Sequence, residues 1–473
     1  MPMATEGKRH SKIVLTKPFS LEIESDSEPT YSYRAPNLIR RLLSLLKNVR
    51  PGSDLTNLQL PPLFYFPKSQ LQCYGESVYS TTSNSNLLSK CNNEQSPLER
   101  LTSVVAWSIS TTRPTSFGVA PYNPILGETH HVSKGNLNVL LEQVSINPPV
   151  SALHATDDKE NIEMIWCQKP APKFRGTSIE AEVHGKRVLK LRNHGETYEM
   201  NCPRLSIRIL PVPGVSWAGN VNILCKETGL VAELSYKSSY SFLGLGGNSK
   251  LVKGRILDSS SFNVLYEIDG QWDRTVKVKD TSSGKVKVIY DAKEVISGLK
   301  TPIVKDAEGV WQTESALIWG ELTEAIVSND WEKAKEAKQG VEERQRKMLI
   351  ERETKGEHWT PKNFLVTYSN ESGMECECSP INKWVPPAPI IALMGKPSNL
   401  NTPSITISHL VRTQVVHRTV TNVAMEETYV ITGRVGSAVA FEVNPPSMIV
   451  NAGVSYRSRL TLRIPVVAKR LPQ

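Results

Sequence analysis

The feature that most constrains the fold is a long alternation of apolar and polar residues between about residues 117 and 300. Alternation with period two predicts β-strands, and turn signals divide this region into consecutive hairpins. "SIEAEVHGKRVLKL" predicts a hairpin turning at His184-Gly185, and "NVLYEIDGQWDRTVKVKDTSSGKVKVIY" predicts turns at Asp269-Gly270 and Ser283-Gly284. Because so many hairpins need covered edges, the sequence predicts a closed antiparallel barrel or a large curled sheet, wide enough to enclose a ligand.

The composition is that of an ordinary globular protein with room for two or three domains: 473 residues, 39% hydrophobic and 22% charged. The net charge of +9 favours anionic partners, and the absence of an aromatic-interleaved basic patch or zinc-finger spacing favours a membrane surface over nucleic acid. No signal peptide and no stretch of about 18 apolar residues is visible, so we expect a cytoplasmic protein.

The seven cysteines are an odd number and mostly scattered, which predicts reduced thiols. Cys376 and Cys378 form a C-x-C pair without a second pair, so we interpret them as incidental thiols and expect no metal site.

The chain is predicted to have four parts. Residues 1–34 are polar and predicted to be flexible, residues 35–390 form the main domain, residues 391–398 are a proline-containing linker, and residues 399–473 are a short second β-rich segment.

The segment "PNLIRRLLSLLKNVRPG" predicts an amphipathic helix over residues 36–49. Such a helix packs its apolar face on its own core, lies in a membrane interface, or closes a pocket, and the pattern alone leaves the three open. Its apolar residues at helical spacing are Leu38, Leu42, Leu45 and Val49, with Ile39, Leu43 and Leu46 beside them, and its basic residues away from that stripe are Arg40, Arg41 and Lys47.

The stretch "LLEQVSINPPV" predicts a strand that ends at a sheet rim, because Pro148 and Pro149 cannot donate to a ladder. This is either a strand entering a loop or a rim at which Ser145, Ile146 and Asn147 hold a ligand.

A helix is predicted from Trp331 to Lys355, with Lys338, Glu342 and Arg346 on one face. These three side chains form either a surface salt-bridge ladder or a grip for a phosphate, in which the carboxylate orients the two cations.

Two further motifs are rejected. "FLGLGGNSK" lacks phosphate-loop spacing, and Gly176-Thr177-Ser178 is followed by a strand pattern and has no Asp/His partner motif. No nucleophile and base are brought together, so we expect no enzyme and no cofactor.

Five segments occur in one order along the chain: "APYNPILGETHH", "EQVSINPP", "FRGTSIEAEVHG", "YEIDGQWDRTV" and "EAKQGVEERQR". On these motifs, residues 12–390 resemble an oxysterol-binding-protein-related protein of the short plant type, which lacks a pleckstrin-homology domain. The resemblance implies a mainly β fold with flanking helices, in which an incomplete antiparallel β-barrel encloses a lipid tunnel under an N-terminal helical lid at about residues 35–50. It also implies transfer of a sterol or another lipid between membranes, often in exchange for phosphatidylinositol 4-phosphate.

The resemblance further implies headgroup contacts at Asn123, Asn147, Lys338, Glu342 and Arg346. The family carries two histidines where this chain has Ile146 and Asn147, and many members carry a lysine where it has Ala120. Each lost charged-group hydrogen bond costs roughly 1.5–3 kcal/mol, so two cost roughly 10²- to 10⁴-fold in affinity. His130 and His131 lie nearby in sequence, but nothing in the pattern lets them substitute.

We therefore expect a lipid carrier with weakened phosphoinositide exchange, located in the cytoplasm and peripherally at membranes such as endoplasmic reticulum contact sites. The alternative is a non-transferring membrane-associated or decayed fusion product without a working pocket. The carried lipid and the oligomeric state stay open.

Residues 399–467 look similar to the C-terminal fibronectin-III-like domain of plant subtilisin-type proteases, through "PSITI", "RTVTNV" and "NPP". The final "LRIPVVA" resembles that domain's last strand but arrives early, which predicts a truncated β-sandwich. The protease motifs are absent, so no proteolysis is implied. The junction is a gene fusion or a mis-joined gene model.

Overall fold

A computed structural model describes residues 12–21, 38–79, 87–237, 250–296, 299–368, 376–392, 413–421, 427–430, 440–450 and 455–463. The chain divides into two compact units, residues 1–394 and 395–473, and the division falls inside the segment predicted as a linker. The rejected loop motif covers residues 242–250, of which residues 242–249 lie outside the described residues.

Eight α-helices are described in the first unit, and none of them is long and apolar enough to cross a membrane. They are α1 (Leu38–Leu46), α2 (Gln70–Tyr79), α3 (Leu87–Asn93), α4 (Pro97–Ser110), α5 (Ala292–Ile296), α6 (Ser315–Ile318), α7 (Gly320–Val327) and α8 (Trp331–Lys355), with a 3₁₀ turn at Pro62–Phe64.

The strands of the first unit are β1 (Tyr65–Ser69), β2 (Ala120–Tyr122), β3 (Thr129–Lys134), β4 (Leu137–Ile146), β5 (Pro149–Asp157), β6 (Ile162–Phe174), β7 (Ser178–His184), β8 (Arg187–Leu191), β9 (Glu196–Met200), β10 (Arg204–Arg208), β11 (Gly214–Cys225), β12 (Leu230–Lys237), β13 (Leu251–Asp258), β14 (Val264–Gln271), β15 (Thr275–Asp280), β16 (Val286–Asp291), β17 (Ile303–Val304), β18 (Phe364–Tyr368), β19 (Cys376–Pro380) and β20 (Ile390–Ile391).

Sixteen of these strands form one sheet in the described part of the chain. Its order is β16-β15-β14-β13-β12-β11-β10-β7-β6-β5-β4-β3-β20-β17, with β8 and β9 inserted between β6 and β11. All pairs are antiparallel except β3 with β20. The two end strands, β16 and β17, are not paired with each other, so the sheet is not closed. This agrees with the incomplete antiparallel barrel that the resemblance implies, whereas the closed barrel that the alternation also allowed is not formed.

The predicted hairpin at His184-Gly185 is wrong. β7 and β8 do not pair with each other; both pair with β6, β7 along Lys169–Phe174 and β8 along Ile162–Trp166. Gly185 joins them at a positive φ of 110°, and a Cβ there would lie 1.9 Å from the carbonyl oxygen of Cys167. A glycine that a close backbone contact requires looks the same in the sequence as a glycine in a tight turn. The alternation therefore could not distinguish a bulge from a hairpin.

The other two turn predictions have different outcomes. Asp269 and Gly270 lie inside β14, and the chain reverses instead between Gln271 and Thr275. The turn at Ser283-Gly284 is confirmed, since β15 and β16 pair on either side of it.

Helix α4 is buried along nearly its whole length. Ser96 caps it by accepting from Glu99 N, and Pro97 occupies its first turn, where a missing N–H costs nothing. Leu101, Val104 and Trp107 are all fully buried in the core that the helices share with the inner face of the sheet. The helix therefore forms part of the interior and not a solvent-facing layer.

Residues 12–21 lie against the barrel unit although the sequence places them in the flexible N-terminus. Val14 N donates to Ala316 O and Leu21 N donates to Ile296 O. The short apolar stretch around Val14 is half-buried, and Gly320 allows the contact, because a Cβ there would lie 2.1 Å from Lys12 O.

The second unit contains β21 (Thr413–Thr421), β22 (Glu427–Val430), β23 (Ala440–Asn444), β24 (Ser447–Val450) and β25 (Ser455–Arg463). They form an antiparallel three-stranded sheet, β21-β25-β23, and a two-stranded sheet, β22-β24. Two small sheets agree with the predicted sandwich-like tail.

Candidate functional site

The two faces of the barrel wall have different chemistry. On the inner face, Leu141, Leu153 and Trp166 of β4, β5 and β6 belong to the main apolar core. On the outer face, residues of opposite parity belong to a separate cluster with Phe364 of the hairpin β18–β19. The hairpin thus covers the outside of the wall, and the inside faces the barrel interior.

The apolar interior contains a buried cation and several polar atoms. The Arg187 guanidinium is 1% exposed and donates to Thr111 Oγ1 and Ser108 Oγ, both at 3.0 Å. It also lies over the indole rings of Trp107 and Trp166, at 4.8 and 5.3 Å from their centroids. This arrangement fixes a positive charge among hydroxyls and π-faces inside the barrel.

Gln168 shares the inner face of β6 with Trp166 and is fully buried. Among the described residues, both amide atoms of Gln168 and Nε1 of Trp166 lack a hydrogen-bond partner in the protein. Because buried polar atoms in folded proteins are bonded to something, these atoms are suited to a polar group of a ligand or to water.

The strand β4 carries the predicted rim. Ile146 is half-buried and pairs with Pro149, while Asn147 is exposed at the tip between β4 and β5. Below the tip, Gln143 accepts from Ser151 Oγ at 2.6 Å and donates to Ser145 O at 2.7 Å. The tip is therefore held by side-chain bonds as well as by the ladder.

The N-P-I-L-G-E turn is anchored by its last residue. Glu128 is fully buried, and its carboxylate accepts from Ser315 Oγ at 2.7 Å, Trp319 Nε1 at 2.8 Å and Ile125 N at 3.0 Å, and also from Ser69 Oγ. Burial raises the pKa of this carboxyl, and the four donors oppose the shift. The turn is also joined to β4, since Gly127 N donates to Gln143 O at 2.9 Å.

Helix α8 packs beside this turn. Ala334 and Val341 are buried on Tyr65 and Tyr122, in a cluster that Ile125 of the turn also contacts. Lys338 Nζ donates to Glu342 Oε1 at 2.5 Å, with the lysine side chain 13% exposed. The predicted helix bounds, Trp331 to Lys355, are confirmed.

The five predicted headgroup residues thus lie on three elements. Asn123 is exposed at the start of the anchored turn, Asn147 is exposed at the rim tip, and α8 carries the other three. Lys338 and Glu342 are in direct contact, and Arg346 is exposed one turn further along. The turn is hydrogen-bonded to β4 and packed on α8, so the three elements belong to one connected region.

The two histidines that follow the turn do not replace the missing rim histidines. His130 Nδ1 is 2.7 Å from Glu314 Oε1, and His131 Nε2 donates to Pro386 O at 2.9 Å. Both are at most 3% exposed, so they hold the strand β3 in place.

The predicted lid forms helix α1, and its stripe faces the protein. Leu42 and Leu46 are buried, and Leu38 and Leu45 are half-buried, on a cluster that includes Phe174 and Ile209 at the end of the barrel wall. At one edge of this stripe, Ile39 and Leu43 are each 40% exposed. Arg40, Arg41 and Lys47 are exposed as well.

Comparison with known proteins decides the family. The family model for "Oxysterol-binding protein" matches residues 41–379. Oxysterol-binding protein-related protein 4B of Arabidopsis thaliana is 56% identical over 391 residues, which are 82% of this chain and all of that protein. Its relative 4A, from the same plant, is 53% identical over 82% of this chain and 99% of that protein.

The chain belongs to the oxysterol-binding protein family.

Solved structures of this family share the fold. The Osh1 ORD domain in complex with cholesterol has a TM-score of 0.59 at 22% identity and covers 75% of this chain and 87% of that one. The Osh3 ORD of Saccharomyces cerevisiae in complex with PI(4)P has a TM-score of 0.56 at 23% identity, covering 72% and 90%. The predicted fold class, mainly β with flanking helices and an incomplete antiparallel barrel, is confirmed by these neighbours.

The tail matches the family model for "Fibronectin type-III domain" over residues 399–469. The predicted fibronectin-III-like segment is therefore confirmed as a domain type, whereas its origin in a protease stays a prediction.

Sequence reasoning missed two acidic residues of the oxysterol-binding protein motifs. One is Glu128, and the other is Glu142, whose carboxylate accepts from Lys362 N at 2.8 Å and from Asn363 N and Nδ2 at 2.8 and 2.9 Å. Both are buried. Their presence inside the quoted motifs was the available signal, but a sequence does not show whether a motif carboxylate contacts ligand or protein.

Proposed function

We propose that this protein binds a sterol or a lipid of similar size inside the barrel and carries it between membranes. The observation that carries the proposal is the inner face itself, an apolar wall that holds the unpaired polar atoms of Gln168 and Trp166. Burial of several hundred Å² of hydrocarbon gives on the order of 10 kcal/mol gross, a large favourable contribution to extracting a lipid from a membrane.

We further propose that phosphatidylinositol 4-phosphate binds weakly. Ile146 cannot donate, Asn147 carries no charge, and His130 and His131 are buried, each bonded to the protein through one ring nitrogen. Lys338 is partly neutralised by Glu342 at 2.5 Å, which leaves Arg346 as the exposed cation of the predicted set. A phosphomonoester at this rim meets Asn123, Asn147 and few positive charges.

The membrane-facing surface in this proposal is the outer side of α1. Ile39 and Leu43 offer apolar area, and the basic residues Arg40, Arg41 and Lys47 flank them. A helix of this kind binds an anionic membrane surface by burying its apolar side chains and by the attraction of its basic side chains to the lipid headgroups. The proposed location is accordingly the cytoplasmic side of membranes, as a peripheral protein.

Lipid carriage is tested by extraction of a fluorescent sterol from liposomes. We expect the full chain to remove sterol above the level of blank liposomes, and Gln168→Leu to weaken binding by about tenfold through loss of a polar contact. Equal, background-level signals for both proteins would support the non-transferring alternative instead.

The rim is tested with the double variant Ile146→His/Asn147→His and liposomes containing phosphatidylinositol 4-phosphate. Restoring two donors is expected to raise affinity by roughly 10²- to 10⁴-fold. Asn136→His is the matched control, because Asn136 is also exposed but lies at the opposite end of β4. A native affinity within tenfold of the double variant refutes the weakened rim.

For the tail, we propose a fusion with a segment of protease origin. Sequencing the transcript across residues 380–405 tests it: a continuous transcript supports a fusion, and separate transcripts indicate a mis-joined gene.

A further inference from the structure

Three thiols meet on the outer face of the barrel wall. Cys167 Sγ lies 2.7 Å from Cys378 Sγ and 3.3 Å from Cys376 Sγ, although more than 200 residues separate them in sequence. They come from β6 and β19, and the sequence interpretation of the C-x-C pair as incidental did not anticipate the third cysteine. The cluster lies on the face of β6 opposite the one that the proposed lipid site uses, because Cys167 points outward and its neighbours Trp166 and Gln168 point inward.

The fold brings these thiols together for a simple geometric reason. Residues two apart on a strand share a face, so Cys376 and Cys378 of β19 both point toward the wall. The hairpin is held there by Phe364, which is 1% exposed and packs in the same cluster as Cys167 and Cys378. It is further fixed by Asn363, whose main chain and side chain bond to Glu142.

The three thiols differ in access. Cys167 and Cys378 are buried, whereas Cys376 is half-buried and therefore open to a small oxidant. The contact with Cys167, followed by burial, raises the pKa of the Cys376 thiol, and the nearby Lys169 ammonium opposes the shift. Because the thiolate is the nucleophile, this raised pKa makes oxidation of Cys376 by peroxide slow at neutral pH and faster as the pH rises.

The spacing favours a disulfide over a shared metal ion. Two sulfurs on one tetrahedral zinc ion lie about 3.8 Å apart, given a Zn–S bond of about 2.3 Å. The Cys167–Cys378 separation of 2.7 Å is well inside that value and close to the reach of a covalent S–S bond.

We propose that this cluster is a reversible thiol switch, in which peroxide enters at Cys376 and a disulfide forms between Cys167 and Cys378. The Cys376 sulfur attacks a peroxide oxygen, the O–O bond breaks, and the departing hydroxide takes the thiol proton to give water and a sulfenic acid. The Cys167 sulfur then displaces hydroxide from that sulfenic acid, forming an S–S bond and a second water. Cys378 attacks the Cys167 sulfur, and the released Cys376 takes the Cys378 proton.

The net result is that two thiols lose two electrons and two protons and one peroxide becomes two waters. A dithiol reductant reverses the reaction by exchange. The product links the hairpin β18–β19 covalently to β6, the strand next to the β4–β5 pair that ends in the rim. We expect the linked hairpin to stiffen the outer wall without closing the interior.

The test treats the full chain with one equivalent of hydrogen peroxide and maps disulfides by mass spectrometry of a non-reduced digest. We expect the Cys167–Cys378 link in the native chain, a Cys167–Cys376 link in Cys378→Ser, and at least tenfold slower linkage in Cys376→Ser. Oxidation should slow amide exchange in both strands of the hairpin and raise Tm by about 3–5 °C, reversibly with dithiothreitol.

Cys225→Ser is the matched control, because Cys225 is also buried on a strand but its thiol contacts the Glu227 carboxylate at 3.4 Å. This variant should form the same link at the native rate. Cysteines paired at random, sulfinic acid at Cys376 without any link, or unchanged hairpin exchange in the linked protein would each overturn the proposal. Because Cys376 is half-buried, the Cys376→Ser variant keeps the buried pair Cys167 and Cys378 intact. Its rate of disulfide formation is therefore informative even if a variant at Cys167 misfolds.

Discussion

Trp359 donates its indole N–H to the main-chain carbonyl of Val144, with 3.0 Å between Nε1 and the oxygen. The Arg352 guanidinium at the end of α8 lies 4.6 Å from the centroid of the same ring. The same ring leaves no room for a side chain at Gly127, where a Cβ would lie 2.6 Å from a ring atom. A single side chain thus connects α8, the N-P-I-L-G-E turn and the strand that ends at the rim.

Gly127→Ala should therefore destabilise the protein more than an ordinary glycine substitution. Gly127 has a positive φ of 78° and the Trp359 ring against it, whereas Gly135 has a φ of 61° with nothing within 4 Å. We expect Gly135→Ala to cost about 1 kcal/mol from backbone strain alone, and Gly127→Ala about 2–3 kcal/mol from strain plus the clash. Urea unfolding measures both free energies, and equal losses would contradict the contact.

Glu128→Gln should lower the free energy of unfolding by about 2–4 kcal/mol. The carboxylate accepts four hydrogen bonds, and an amide offers one acceptor oxygen and turns an N–H₂ toward existing donors. Glu343→Gln, at an exposed site on α8, is the control and should change stability by less than about 0.5 kcal/mol. A Glu128→Gln variant as stable as the control would show that the turn is not anchored by this residue.

Substitutions at two neighbouring residues of α1 should distinguish the packing of the lid on the protein from its contact with a membrane. Leu42 is 6% exposed and Leu43 is 40% exposed. Leu42→Ala should weaken lid packing by about 2–4 kcal/mol and speed the release of bound lipid, measured by stopped-flow fluorescence. Leu43→Ser should leave release unchanged and reduce binding to anionic vesicles. The reverse pattern would mean that the helix turns its other face to the protein.

Lys134 makes the protein less stable at neutral and lower pH. Burial lowers the pKa of its ammonium to about 7, and Arg113 adds repulsion. Below pH 7 the lysine is charged in both the folded and unfolded states, so folding bears the full cost of burying a charge. Between pH 7 and 10.5 the folded side chain is neutral and the unfolded one is still protonated, so the cost declines as pH rises.

Lys134→Met should therefore stabilise the protein below pH 7 by up to about 4 kcal/mol, with the gain disappearing by about pH 10.5. Tm measured from pH 6 to pH 10.5 checks this, with Lys277→Met at an exposed strand position as the control. A gain that does not change with pH would indicate a packing effect and not the ionisation of Lys134.

Much of the barrel could be predicted from the sequence because a sheet with one buried face requires apolar and polar residues to alternate with period two. Ser283-Gly284 and the full length of α8 were predicted for similar local reasons. The arrangement of β7 and β8 was not, because pairing with β6 is a long-range choice that leaves the same local pattern as a hairpin.

The candidate site was predictable only in part. Spacing and resemblance together indicated the lid and the rim, since their residue types are visible along the chain. The burial of Glu128 and Glu142 and the meeting of Cys167 with Cys376 and Cys378 depend on contacts between distant segments. No one-dimensional pattern records those contacts.

The most direct measurement of the central claim is native mass spectrometry of the full chain after incubation with liposomes that contain both a sterol and phosphatidylinositol 4-phosphate. The account predicts a dominant species with one sterol per chain and a minor species with the phosphoinositide. A chain that emerges without any lipid, or one loaded mainly with phosphatidylinositol 4-phosphate, would contradict it.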